Sequence, residues 1–224
     1  MTKRHLKARV APKSWPNVLR KNTKYVSKPK PGTHKLEFSL TLGSIIKDLG
    51  LAKTTREIKK ILNDKEILVD GRRVKERNFS IGFMDVVSIK DIGNYRLTIN
   101  ESGFLKLIEL KVSTNIKLTK IINKTMYRGS RLQLNLIDSR NVLVKENKYN
   151  VGDSLVIELP SQKITEHLPL KEGSFILLIG GKHIGDKGVI EKISGKNIVY
   201  KNKDNNSFET LKDYAFVFKE DFVK

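Results

Sequence analysis

The chain has 224 residues, 44 of them Lys or Arg against 24 Asp or Glu, giving a net charge of +20, and it contains no cysteine. This length accommodates one large domain or two to three small ones, and the missing cysteines exclude disulfides and cysteine-based zinc sites. The charge exceeds what solubility requires, so a polyanionic partner is expected, with nucleic acid ahead of an anionic membrane.

Residues 1 to 36 hold eleven of the cations and no acid. Pro12, Pro16, Pro29 and Pro31 interrupt any apolar periodicity, which predicts an extended basic arm over residues 1–39, ordered by its partner. Lys3, Arg4, Lys7, Arg9, Lys13 and Lys21 are its candidate RNA contacts. Trp15, the single tryptophan, either stacks on a base or packs beside Pro16 and Leu19 in the protein's own core. These first residues alternate charge with small apolar side chains, unlike a secretory signal. No apolar run approaches the ~20 residues of a membrane helix, so the chain reads as soluble and intracellular.

Over residues 40–90, Leu42, Ile45, Ile46 and Leu49 recur at helical spacing. After Gly50 a second helix offers Ile58, Ile61 and Leu62. Thr54 followed by Glu57 has the form of a capping box. Glu66 to Val69, the pair Asp70-Gly71 and Arg72 to Val74 read as a strand, a tight turn and a strand, and the apolar run from Met84 to Ile89 closes the segment. The polar face of the second helix carries Arg56, Lys59 and Lys60, and the hairpin carries Arg72, Arg73, Lys75 and Arg77. Two helices, a "VDG-R" hairpin and a closing strand resemble the S4-type RNA-binding domain. The resemblance implies that Thr54, Arg56, Lys59, Lys60, Gly71, Arg72 and Arg73 line an RNA face; the competing reading is a solvated basic surface.

Residues 91–168 turn to short alternating strands: Tyr95 to Ile99, Phe104 to Val112, Leu132 to Leu136, Val142 to Val144 and Ser154 to Leu159. A central antiparallel β domain is the expected closure. Lys117, Lys120, Lys124, Arg128, Arg131 and Arg140 are spaced like an ordinary solvated face. Pro160 and Pro169 frame a linker to residues 169–224, where Phe175 to Ile179 leads into a glycine-rich loop, Gly180 to Gly188. Glycine at a strand exit lets the backbone approach something closely. Gly180 and Gly185 have the spacing of a phosphate-binding loop, but Asp186 and Lys187 stand where the Lys and hydroxyl are needed, and no helix pattern follows. The segment resembles a KOW motif instead, with Lys182, His183 and Lys187 as candidate RNA contacts in a small SH3-like β-barrel.

In this order, "APKSWP" and "PGTHKL", the S4-like segment ending in "GFMDVVSI", the "NYRL" strand, "GGKHIGDKGVI" and "NSFETL" together resemble the ribosomal protein S4e family. The fold this implies is α+β and multi-domain: arm, S4-like domain, central β domain and KOW barrel. The implied role is a non-enzymatic constituent of the small ribosomal subunit in the cytoplasm. Its partners would be small-subunit rRNA and neighbouring small-subunit proteins, with no cofactor, metal, membrane or small-molecule substrate. The chain ends soon after the KOW segment, without the basic extension of longer eukaryotic members, which implies an archaeal-type or reduced member. Two other classes share these features. A free RNA chaperone or KOW-type transcription or translation factor would carry the same charge. An RNA-modifying enzyme would need a catalytic domain, whereas Asp85, Asp91, Asp138 and Asp153 sit beside turns, where backbone capping is expected. The four histidines, His5, His34, His167 and His183, are far apart in sequence.

Overall fold

The computed structural model describes residues 5–110, 116–127 and 131–219. Within them the chain is mostly β, with two α-helices and nineteen strands. It divides into two compact units, Met1–Thr98 with Phe104–Asn115, and Ile99–Gly103 with Ile116–Lys224.

In the first unit, strands β1 (Leu6–Lys7) and β2 (Tyr25–Val26) pair antiparallel. This segment does not stand away from the fold as an extended arm. Leu6, Ala8, Ala11 and Trp15 are buried. The Trp15 indole N–H donates to the Leu36 carbonyl at 3.2 Å. Arg20 turns inward, its guanidinium donating to the carbonyls of Ala11 at 3.0 Å and Pro12 at 3.1 Å. Alternating small apolar residues supply a core face that the proline count conceals.

Strand β3 (Ser39–Thr41) leads into helix α1 (Leu42–Asp48), and α2 (Thr55–Asp64) follows. Thr41 caps α1 by accepting from Ser44 N. The helix stops because Gly50, at φ +72°, takes the left-handed conformation that lets Gly50 N and Leu51 N bond back to Lys47 and Ile46. The capping box on α2 is present: Glu57 N donates to Thr54 Oγ1, and Glu57 Oε2 accepts from the backbone N of Thr54 and Lys53. Ile45, Ile46, Ile58 and Leu62 are buried.

Next come β4 (Ile67–Val69), β5 (Arg72–Arg73), β6 (Ser80–Gly82), β7 (Val86–Ile89), β8 (Gly93–Ile99) and β9 (Leu105–Leu110). Asp70 and Gly71 both have positive φ, 51° and 78°, the two-residue hairpin turn that matches the strand twist. The sheet order is β5-β4-β7-β8-β9, with β3 and β6 forming a separate pair. Strands β8 and β9 thus lie in one sheet with β4, β5 and β7, β8 pairing directly with β7.

The second unit holds two five-stranded antiparallel sheets. The first contains β10 (Ile116–Tyr127), β11 (Arg131–Leu136), β12 (Asn141–Val144), β13 (Ser154–Glu158) and β14 (Ile164–Leu168), in the order β12-β11-β10-β13-β14. Its core joins Ile121, Leu134, Leu136, Leu155 and Ile157. The second contains β15 (Phe175–Leu178), β16 (Lys187–Ser194), β17 (Asn197–Asn202), β18 (Ser207–Leu211) and β19 (Ala215–Val217), in the order β18-β17-β16-β15-β19.

Two cations of β10 are not solvated. Lys117 lies opposite Ile157 and Thr119 opposite Leu155, so both share the core face with Ile121. The Lys117 ammonium is 3.2 Å from Asp138 Oδ2, both side chains only 1% exposed. Lys120 leaves the other face, and its Nζ donates to the carbonyls of Lys212 (3.3 Å), Asp213 (2.7 Å) and Ala215 (2.7 Å). Burial pushes the Lys120 ammonium down to about 8, the Asp213 charge opposing and the Lys212 charge assisting. Lys124 also spends its ammonium within the protein, on Asn147 Oδ1 and the Tyr149 carbonyl. Arg131 is exposed and Arg140 half-buried against Asp138, while Arg128 lies outside the described residues.

Candidate nucleic-acid interface

The cations of the first unit are held outward by the elements beneath them. Ile58 and Leu62 fix one side of α2 in the core, which leaves Arg56, Lys59 and Lys60 exposed on the other. Thr54 is also exposed, and its hydroxyl is engaged as the helix cap. The left-handed Asp70-Gly71 turn projects Arg72 and Arg73 at the hairpin tip, both exposed. Asp70 braces that tip from inside, buried and accepting from Val86 N at 3.0 Å. Its charge also favours the cationic form of buried Arg96, against the larger effect of burial, which lowers the Arg96 pKa. Arg72 stands opposite Val69 and Arg73 opposite Leu68, so the two guanidiniums leave opposite faces of the ribbon. Lys75 is exposed; Arg77 is half-buried, and its carbonyl accepts from Gly43 N at 2.8 Å.

Among the described residues none of Arg56, Lys59, Lys60, Arg72, Arg73 and Lys75 is in an ion pair. Lys7, Arg9, Lys13 and Lys21 are likewise exposed and unpaired there, while Lys3 and Arg4 lie outside the described residues. Cations with no acid opposite them hold their field for an external anion. Trp15 packs in the protein's own core: at 5% exposure, with its N–H bonded to Leu36, its ring offers no stacking face.

Lys182, His183 and Lys187 belong to the second unit. Lys182 is exposed at the glycine-rich loop. The His183 ring lies 4.7 Å from the Phe208 ring, and its Nδ1 is 3.5 Å from Asp186 Oδ2, which also accepts from the Tyr200 hydroxyl. Burial, with the Asp186 charge beside it, raises the Tyr200 pKa. Lys187 is half-buried in β16 opposite Leu177. The close approach that the glycines allow is to the protein itself. Gly185, at φ +94°, sits against the carbonyl of Asn100, where a Cβ would overlap it. The loop's Asp186 thus organises its own sheet, as a turn carboxylate does. One residue that sequence reasoning missed is Tyr25, whose signal is an aromatic set directly beside Lys24 in an acid-free stretch.

Among the described residues no group of three or more His, Cys, Asp or Glu is placed to hold a metal ion. Among the described residues, too, no helix is long and apolar enough to cross a membrane. What these elements build is an RNA-binding module: residues 42–87 match the model of the S4 domain. Residues 2–37 match the RS4NT (NUC023) domain and residues 93–164 the family described as Ribosomal family S4e. The small ribosomal subunit protein eS4 of Methanocaldococcus jannaschii is 40% identical, over 96% of this chain and 93% of that protein. The protein of the same name from Methanothermobacter thermautotrophicus is 41% identical, over 98% and 94%. The crystal structure of the 30S ribosomal protein S4e from Thermoplasma acidophilum superposes with a TM-score of 0.69 at 34% identity, covering 80% of this chain and 94% of that one. The chain belongs to the ribosomal protein S4e family, whose members are structural proteins of the ribosome and not enzymes.

Proposed function

We propose that this chain is a structural constituent of the small ribosomal subunit in the cytoplasm, held there by small-subunit rRNA and by neighbouring small-subunit proteins. The observation that carries the reading is the set of uncompensated cations on α2 and on the β4–β5 hairpin, within an S4 domain of an S4e-family chain. The RNA face is Arg56, Lys59, Lys60, Arg72, Arg73 and Lys75, continued by Lys7, Arg9, Lys13 and Lys21. The C-terminal sheet acts as a KOW-type small barrel that presents Lys182. The strand order β18-β17-β16-β15-β19 and the tight packing of Gly185 and Gly188 support that reading.

Binding of the full chain to a small-subunit rRNA transcript across a salt series tests this. With ~8 phosphates neutralised, log K falls against log salt with a slope of order 6 to 7. The chain also co-sediments with small subunits after a salt wash. Salt-independent affinity, or recovery only in the free fraction, overturns the reading in favour of a free RNA-binding factor.

A further inference from the structure

We propose that Tyr25, with Lys7, Lys24 and His5 around it, is a stacking platform for an unpaired RNA nucleotide; this rests on the rRNA-binding reading above. In the β1–β2 ribbon Lys7 stands directly opposite Tyr25, so both side chains leave the same face. The other face, carrying Leu6, is turned into the core. The Lys24 ammonium lies 5.6 Å from the centre of the Tyr25 ring. The His5 ring centre is 5.4 Å from it, at an interplanar angle of 45°. Yet half of the tyrosine remains exposed.

Residues 5–28 contain Lys7, Arg9, Lys13, Arg20, Lys21, Lys24 and Lys28 and no acid. A half-exposed aromatic ring in such a field suits a ligand that offers a π face and negative charge together, which is what a base with its flanking phosphates supplies. An acidic protein segment would match the cations but leave the ring face unused. The platform is also pre-organised. Ala8 N donates to the Lys24 carbonyl at 3.1 Å, and Arg20 ties down the carbonyls of Ala11 and Pro12 in the segment that joins the two strands. Stacking there costs little ordering.

The test uses the full chain and a small-subunit rRNA transcript, with Tyr25→Leu, Tyr25→Phe and Lys24→Ala compared across a salt series. Tyr25→Leu weakens binding roughly 5- to 100-fold without changing the salt slope, because a stacking contact releases no counterions. Tyr25→Phe keeps the ring and binds like wild type. Lys24→Ala lowers the slope by about one. Ultraviolet irradiation of the complex yields a nucleotide adduct on the peptide containing Tyr25. If the wild-type chain binds with a steep salt slope while Tyr25→Leu binds equally well and no adduct forms there, the platform is overturned and the rRNA reading stands. A wild-type chain with no affinity for the transcript overturns both.

Discussion

The ring of His34 fills the space that a side chain on Gly82 would occupy, and its Nε2 lies 2.9 Å from Oδ2 of Asp85. Both side chains of the pair are 5% exposed, and the same carboxylate oxygen accepts from Gly82 N at 2.7 Å. Two segments far apart in sequence, one around His34 and one from Gly82 to Asp85, are thereby locked together, and Ser39 to Thr41 pairs with Ser80 to Gly82 alongside. Gly82→Ala overfills this site, and the expected loss is ~1–3 kcal/mol. Because His34 is the obstacle, Gly82→Ala and His34→Ala are non-additive, the double variant losing less than the sum. Urea unfolding of the three variants measures the coupling; strict additivity shows that the ring does not fill the site.

The Lys120 ammonium, held at about 8 by burial, makes the stability of the protein depend on pH in a definite direction. In the unfolded chain it titrates near 10.5, so between these values the unfolded state holds more protons than the folded state. This group's contribution to stability therefore rises with pH through that window. At pH 7 it is protonated in both states, and charge burial costs up to ~3 kcal/mol, offset by the three carbonyl acceptors. The unfolding free energy of wild type relative to Lys120→Met should climb from pH 8 to 10.5. Parallel pH profiles would show that the lysine is not desolvated.

Lys117 and Asp138 form a buried ion pair on a core face, and removing one partner strands the other charge. Lys117→Met is expected to cost ~3–5 kcal/mol, a loss visible by thermal unfolding. Its rRNA affinity, measured on the folded fraction, stays at the wild-type level. A variant as stable as wild type would refute the pairing.

At the hairpin tip, Arg72 and Arg73 leave opposite faces, so the single alanine variants should be unequal. The Arg that meets a phosphate contributes ~1–3 kcal/mol to binding, and its loss lowers the salt slope by about one. Thermal stability stays near wild type, since both side chains are exposed. A double variant with unchanged affinity at moderate salt would remove the hairpin from the RNA face.

What the sequence determined alone are the features set by short-range physics. The α1–α2 helix pair follows from apolar spacing, the capping box from Thr54 and Glu57, the hairpin from Asp70-Gly71, and the expectation of a polyanionic partner from the net charge. The order of its motifs also sufficed to identify the family. Tertiary structure decided which cations remain available. Lys117, Lys120 and Lys124 read as one solvated face, because a strand's alternation does not reveal that both of its sides are covered, one by Asp138 and one by the carbonyls near Ala215. Trp15 had two open readings until Leu36, twenty-one residues on, supplied its acceptor. The glycine-rich loop was legible as a close approach, but not what it approaches, since Asn100 lies far from Gly185 in sequence. Each of these outcomes depends on a partner distant along the chain, and burial, unlike helix or turn chemistry, is a property of the pair.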